Sequence, residues 1–309
     1  MSTLLLHHPA CLDHVTPAGH PERPDRLRAI EQALEDEKFQ TLAREQAPAA
    51  PAEVIALCHP ADYVEAIRGA SPEQGMVRLD ADTSMSPGSY EAALRAVGGG
   101  MRAVDEVMSG AVNNTFVAVR PPGHHAEVAR PMGFCLFNSA AIAARYAQKK
   151  HGAERAAIVD FDVHHGNGSQ DIFWSDKTVM YCSTHQMPLF PGTGAVSERG
   201  EFNTIVNAPL RPGDGGDQFR QAFESTILPR LREFKPDLIV ISAGFDAHMR
   251  DPLANLNLVE DDYTWVTKKL MDVADASAKG RIVSMLEGGY DLQGLSRSVA
   301  AHVTALMRG

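Results

Sequence analysis

Residues 156–168, Ala-Ala-Ile-Val-Asp-Phe-Asp-Val-His-His-Gly-Asn-Gly, are the stretch on which the reading of this chain turns. They open as a short, continuous apolar run, the pattern of a strand covered on both faces rather than of one with a wet side. Asp160, Asp162 and His164 follow at a spacing of two, so an extended backbone would turn all three to one side while Phe161 and Val163 enter the other layer. Two carboxylates and an imidazole gathered in this way repel and resist desolvation, so a cation or a set of hydrogen bonds must offset the cost.

Working outward, six more apolar runs occupy 4–6, 115–119, 179–182, 204–206, 238–241 and 282–286. Helical patterns lie between them: 24–39, where Leu27, Ile30 and Leu34 recur at helical spacing, then 90–108, 138–152, 218–234 with a kink expected at Pro229, 263–279, and 294–307. This alternation predicts an α/β fold with a parallel sheet and helices on both faces. The Pro-rich segment 47–52 reads as a loop, and Gly98, Gly99 and Gly100 inside a helical pattern read as permitting close helix packing, since no phosphate-loop signature surrounds them. No linker, charge block or repeat divides the chain, so 1–309 is expected to form one domain.

With 309 residues, 44% hydrophobic and 22% charged, the composition is that of a globular protein. Lys and Arg number 29 against 39 Asp and Glu, and the net charge of -10 opposes attraction to phosphate backbones, so no direct nucleic-acid partner is expected. Cys11, Cys58, Cys135 and Cys182 form no C-x-x-C pair, which fits a reduced, cytoplasmic setting. The N-terminus lacks a basic signal region and no run approaches eighteen apolar residues, so neither export nor a membrane span is expected.

Open α/β sheets place ligands at the carboxyl ends of their strands, which directs attention to the residues after each run. The run 238–241 leads to Asp246, a third acid at a strand end. Two Asp oxygens and one His nitrogen suit a catalytic divalent ion such as zinc, and ferrous iron accepts the same ligand types. The run 115–119 leads through Arg120-Pro-Pro-Gly to His124 and His125, imidazoles that titrate where a general acid/base must. The run 282–286 leads to Glu287-Gly288-Gly289-Tyr290, where glycines allow close backbone approach and the phenol can donate to a developing oxyanion. Each piece alone has a blander reading: an Asp after a strand caps helices, paired histidines occur in cores, a tyrosine packs, Gly-Gly turns. Their common location at strand ends favours chemistry.

In order, RPPGHH (120–125), GFCLFN (133–138), DFDVHHGNG (160–168), FPGTG (190–194), GFD (244–246) and LEGGY (286–290) closely resemble the zinc-dependent histone deacetylase family, including bacterial deacetylase-like amidohydrolases. HPERPDR (20–26) and DADTSMSPGSYEAA (80–93) resemble its class II branch. The resemblance implies a three-layer α/β/α arginase-like fold around a central eight-stranded parallel sheet, one more strand than the seven runs. It implies Asp162, His164 and Asp246 as zinc ligands, His124 oriented by Asp160, His125 oriented by Asn167 and serving as general base and acid, and Tyr290 polarising the carbonyl. Asn at 167 follows the class II pattern, where class I members carry Asp.

By the same resemblance Phe134 and Phe190 wall a tunnel for a lysine-like stem, Gly133 leaves room for it, Asp82 is a rim acid for the substrate backbone, His20 lies in a loop at the mouth, and Arg26 belongs to an internal cavity for acetate release. Asp160, Asp162, His164, Ser183 and Thr184 match a site for a monovalent cation, potassium. Leu253 stands where polyamine-selective relatives carry Glu, which disfavours strict acetylpolyamine preference. The implied activity is removal of acetyl or similar acyl groups from lysine side chains or small amines. The rivals are a binuclear ureohydrolase of the arginase type, whose DAHxD and SxDxDP patterns are absent, and a silent acyl-lysine binder, against which Tyr290 argues. A homo-oligomer is compatible with the resemblance. His7, His8, His14, His59, His151, His165, His185, His248 and His302 read as loop or surface histidines.

Overall fold

The computed structural model describes residues 2–308. Seven of its strands coincide with the apolar runs: β1 (Thr3–His7), β5 (Asn114–Ala118), β6 (Ala156–Asp160), β7 (Val179–Gln186), β8 (Ile205–Leu210), β9 (Leu238–Ala243) and β10 (Ile282–Leu286). The eighth, β2 (Ala43–Gln46), gives no signal in the sequence because Ala-Arg-Glu-Gln carries no apolar run. It pairs only with β1, at the edge, where one side of the strand meets water. Two further short strands, β3 (Val77–Arg78) and β4 (Ser84–Met85), form a separate antiparallel pair.

The main sheet runs β2-β1-β5-β10-β9-β6-β7-β8, with every pairing parallel, as expected of a three-layer α/β/α fold. One covering layer contains α1 (Asp25–Ala33), α9 (Glu260–Val273) and α10 (Leu292–Arg308), with α7 (Gly216–Ala222) and α8 (Leu228–Phe234) against α9. The other contains α4 (Ser89–Ser109), α5 (Ser139–His151) and α6 (Asn167–Phe173), with α2 (Ala52–Ile55) and α3 (Ala61–Gly69) beside them. The central strands β5, β6, β9 and β10 are buried at every position, the consequence of helices on both faces. No helix of the described residues is long and apolar enough to cross a membrane.

Helix boundaries depart from the periodic patterns for local reasons. The pattern over 24–39 breaks after Ala33, and Asp36 instead caps a short 3-10 turn at Glu37–Phe39 by accepting from the Lys38 amide. The kink expected at Pro229 takes the form of a π-helical turn at Phe223–Ile227 that joins α7 to α8, since the proline has no N–H for the α ladder. The glycines of α4 permit close packing, but chiefly against a loop and strands rather than a helix: a Cβ on Gly98 would overlap the Pro48 carbonyl, so the loop 47–51 lies directly on the helix backbone, and one on Gly99 would overlap Val117 of β5.

Candidate functional site

Four neighbouring strands, β5, β10, β9 and β6, carry every residue of the proposed centre at their carboxyl ends. Glu287 ties these ends together. Its Oε2 accepts from the amides of Gly123 (2.7 Å) and His124 (3.2 Å), and its Oε1 from the Ser242 hydroxyl (3.0 Å). Sequence reading gives Glu287 no role, although it stands just after β10, at the carboxyl end of a buried strand as the other acids do.

The convergence of Asp160, Asp162 and His164 does not come from strand alternation. β6 ends at Asp160, and two successive side-chain turns replace it: the Asp162 amide donates to Asp160 Oδ1 (3.1 Å), and the His164 amide to Asp162 Oδ1 (2.9 Å). Asp246 arrives from the turn after β9, its Oδ1 accepting from the Val163 amide (2.9 Å).

Asp162, His164 and Asp246 are all buried, and one ligand atom of each lies within 4.8 Å of the others. His164 Nδ1 is 3.2 Å from Asp162 Oδ1 and 3.1 Å from Asp246 Oδ2. Burial would lower the His164 imidazole, but its bonds to the two carboxylates push it up to about 10, while burial and the Asp162 charge push Asp246 up to about 7. A buried cluster that must take up a proton to hold two carboxylates together is one where a divalent ion replaces that proton. The surroundings fit such an ion: a Cβ on Gly244 would overlap Asp162 Oδ2, and one on Gly288 would overlap Asp246 Oδ2, so the backbone closes on the donors without side chains between. Oxygen, oxygen and imidazole nitrogen are the donor set of an open catalytic zinc site.

The tandem imidazoles stand at 4.0 Å between centroids, in different electrostatic settings. His124 Nδ1 bonds Asp160 Oδ2 (2.9 Å), which also accepts from the Tyr181 hydroxyl (3.0 Å). Burial opposes charge on His124, but Asp160, Asp162 and Glu287 overcome it and hold the ring well above the usual histidine range. His125 Nδ1 faces Asn167 Oδ1 at 2.9 Å. Burial, then the neighbouring His124 and His164, holds His125 well below the usual range, so it stays neutral. One cationic and one neutral imidazole, side by side, are equipped for electrostatic and for acid/base work respectively.

Above this floor lies a cavity of about 200 Å³, lined by Asp82, His125, Gly133, Phe134, His164, Leu189, Phe190, Leu253 and Tyr290. This is smaller than drug-sized pockets, which begin near about 300 Å³, and suits a slender chain. Phe190 packs edge-on against His125 (5.1 Å), and Phe134 against Tyr290 (5.9 Å). His20 is not in the lining but packs edge-on against Phe134 at 4.7 Å. Gly133, in the lining, has a φ of +58°, and a Cβ there would strike the His125 ring, so the glycine also permits close contact with that imidazole. Asp82 Oδ1 accepts from the Gly133 amide (3.1 Å), placing the acid expected at the rim in the support of the same turn. A wider cleft at the opposite end of the sheet, lined by Arg155, Lys177, Phe202 and Arg230 among others, brings together no ligating cluster.

Tyr290 reaches the cavity while burial and the Asp246 charge keep its phenol protonated, well above the usual value. Arg26 lies behind it, the guanidinium 5.0 Å from the ring centroid, donating to the carbonyls of Gly289 (2.6 Å) and Glu287 (2.5 Å). Fully buried Glu22 balances Arg26 (2.9 Å) and a second buried arginine, Arg120. Asp251 accepts from the amides of Tyr290 (2.7 Å) and Leu253 (3.0 Å). Neither Glu22 nor Asp251 stands out in the sequence.

Ser183 and Thr184 lie on β7, with Ser183 in register with Asp160. Ser183 Oγ bonds His185 Nδ1 (2.9 Å), and the buried Thr184 hydroxyl has no hydrogen-bond partner among the described residues. Of the histidines expected in loops or at the surface, His14, His59, His165 and His248 do lie in loops but are buried there, while His185 on β7 and His302 on α10 are buried within regular elements. His302, for example, sits between the hydroxyls of Thr267 (2.6 Å) and Ser284 (2.8 Å), which satisfy both ring nitrogens in the neutral state.

A family model described as histone deacetylase domain matches residues 20–306. The chain is 41% identical over 309 residues to histone deacetylase 14, chloroplastic, of Arabidopsis thaliana, covering 94% of this chain and 73% of that protein. It is 40% identical over 280 residues to the histone deacetylase-like amidohydrolase of Pseudomonas aeruginosa, covering 88% and 73%. The crystal structure of the HDA15 HD domain matches with a TM-score of 0.93 at 36% identity, covering 98% of this chain and 88% of that one.

Proposed function

The chain belongs to the histone deacetylase family, and from that premise we propose a zinc-dependent amidohydrolase that removes acetyl or similar acyl groups from lysine side chains or small acylated amines. The observation that carries this reading is the buried Asp162–His164–Asp246 set at the floor of a narrow cavity that also presents His125 and Tyr290. Zinc held by those three side chains would supply a Lewis acid that polarises the acyl carbonyl and acidifies water.

The chain's own residues do the rest. Phe134 and Phe190, with Leu189 and Leu253, exclude water and hold an aliphatic stem with the amide at the floor. His125, neutral and oriented by Asn167, takes a proton from water and passes it to the departing amine. His124, charged against Asp160, acts through its field, and Tyr290 donates to the carbonyl oxygen as charge develops on it. Arg26, braced by Glu22, is assigned to the internal passage for the released acid. A potassium ion beside the centre is assigned to Asp160, Asp162, His164, Ser183 and Thr184, in keeping with the unpartnered Thr184 hydroxyl. A binuclear ureohydrolase would need further carboxylates facing the first metal, and among the described residues the ligating set stops at three. Arg250, near that region in sequence, pairs instead with Asp291 (3.0 Å). We place the protein in the cytoplasm, where its four unpaired cysteines would stay reduced.

The test is turnover of a fluorogenic acetyl-lysine amide, compared with acetylpolyamines and longer acyl amides, before and after chelation and zinc restoration. Activity that disappears with the metal and returns with it supports the reading. A fully metallated enzyme inactive on every acyl amine would overturn it.

A further inference from the structure

A neutral histidine serves as a general base only through the nitrogen that lacks a proton, and which nitrogen that is depends on what the other one faces. His125 Nδ1 faces the side-chain amide of Asn167, and Nε2 has no hydrogen-bond partner among the described residues. An amide presents either its oxygen or its NH₂, so Asn167 settles the proton on His125 only if something settles Asn167.

That something is Glu127. Its Oε1 lies 2.7 Å from Asn167 Nδ2, and a carboxylate can only accept, so the NH₂ must face it. The Met132 sulfur, 3.3 Å from the same nitrogen, is also an acceptor and favours the same orientation. Asn167 Oδ1 is then committed to His125, where it can only accept, and Nδ1 must carry the hydrogen. Nε2 is left bare on a ring that lines the cavity. Glu127 itself is half-buried and held in place by a backbone bridge to Arg130 (3.0 Å).

We infer that Glu127 is the positioning residue that sets the tautomer of His125, by fixing the Asn167 amide so that its oxygen faces Nδ1. This rests on the deacetylase reading for its consequence in turnover, but not for the tautomer itself. It is a claim about donors and acceptors, so replacement of Glu127 should be graded by hydrogen-bond capacity rather than by size or charge.

The test uses the zinc-loaded full chain with Glu127→Gln, Glu127→Leu and Glu127→Lys, read by kcat and KM on an acetyl-lysine amide and by long-range ¹H–¹⁵N correlation of ¹⁵N-histidine protein. Glu127→Gln retains an acceptor and is expected to keep most of kcat and the Nδ1–H form. Glu127→Lys can only donate, which turns the Asn167 oxygen toward itself and its NH₂ toward His125. It is expected to move the His125 proton to Nε2 and lower kcat by about 10² to 10⁴, the range of general-base and wrong-tautomer defects, with KM and zinc content unchanged. Adding Asn167→Asp to Glu127→Lys supplies an acceptor to both neighbours and should restore at least tenfold. If the lysine variant does not fold, Glu127→Leu carries the test, with an expected mixture of tautomers and an intermediate loss. Wild-type activity with Nδ1–H retained in the lysine variant, or in the leucine variant where the lysine one does not fold, overturns the inference and leaves the deacetylase reading intact. An inactive wild type whose His125 tautomer still follows the Glu127 series overturns the deacetylase reading and leaves the inference standing.

Discussion

Replacing Tyr290 by Phe removes one hydroxyl and leaves the ring that packs edge-on against Phe134 and beneath the Arg26 guanidinium. Because the phenol is held protonated, in the proposed mechanism the loss is that of a neutral donor to the carbonyl oxygen, and Tyr290→Phe is expected to lower kcat by about 10² to 10³ while zinc stoichiometry and hydroxamate binding persist. Unchanged turnover would remove Tyr290 from the mechanism. Asp246→Ala acts differently, since it deletes a proposed ligand and also strips the Val163 amide of its acceptor. Stoichiometric zinc retained by that variant after gel filtration would refute the ligand set; loss of metal and activity together is expected. These residues are legible in the sequence because each follows an apolar run. Glu22, Glu127 and Asp251 are not, because each acts by satisfying groups distant in the chain: Glu22 pairs with Arg120, and Asp251 holds the amide of Tyr290. Periodicity carries no trace of such partners.

At the scale of elements, strands buried on both faces announce themselves by apolar runs, whereas β2, an edge strand of Arg44 and Glu45, has nothing to bury and so leaves no signal. Helix α4 offers a test of how its glycines are used. In an exposed helix interior, Gly→Ala stabilises by up to about 1 kcal/mol. Gly98 lies where a methyl group would overlap the Pro48 carbonyl, a backbone atom that cannot rotate away, so Gly98→Ala is expected to lower stability instead, by about 1 to 3 kcal/mol as overpacking does. Gly69, the last residue of α3, has open space for 4 Å around the point where a methyl group would stand, and its backbone is not left-handed. Gly69→Ala should therefore be neutral or raise stability by a few tenths of a kcal/mol, up to about 1. A loss of stability for Gly98→Ala and none for Gly69→Ala in paired urea melts is the expected outcome. Equal effects would mean that the 47–51 loop does not rest on α4 as described.

Across the whole molecule, the buried neutral histidines couple stability to pH. Sequence misses their burial because an imidazole satisfied by two hydroxyls, as His302 is by Thr267 and Ser284, behaves as a core residue, and only the folded chain brings those hydroxyls together. Burial holds His302 down to about 3 and His59 to about 4, against an ordinary value of 6.5. Below pH 6.5 the unfolded chain therefore binds a proton at each site that the native state refuses, and stability falls with pH until the native state takes up its own proton near 4 for His59 and near 3 for His302. Above 6.5 both states are neutral and neither site contributes a slope. Within the window each such histidine adds about 1.4 kcal/mol per pH unit to the loss. His302→Gln, which keeps hydrogen-bonding capacity toward Thr267 and Ser284 without a titratable ring, is expected to be less stable than the parent at about pH 7 but to lose less on acidification, so the two stability curves converge between about pH 6 and 4. The check is urea unfolding of both proteins across roughly pH 4 to 8. Parallel curves would show that His302 is protonated equally in the two states, and that its neutrality is not what the core requires.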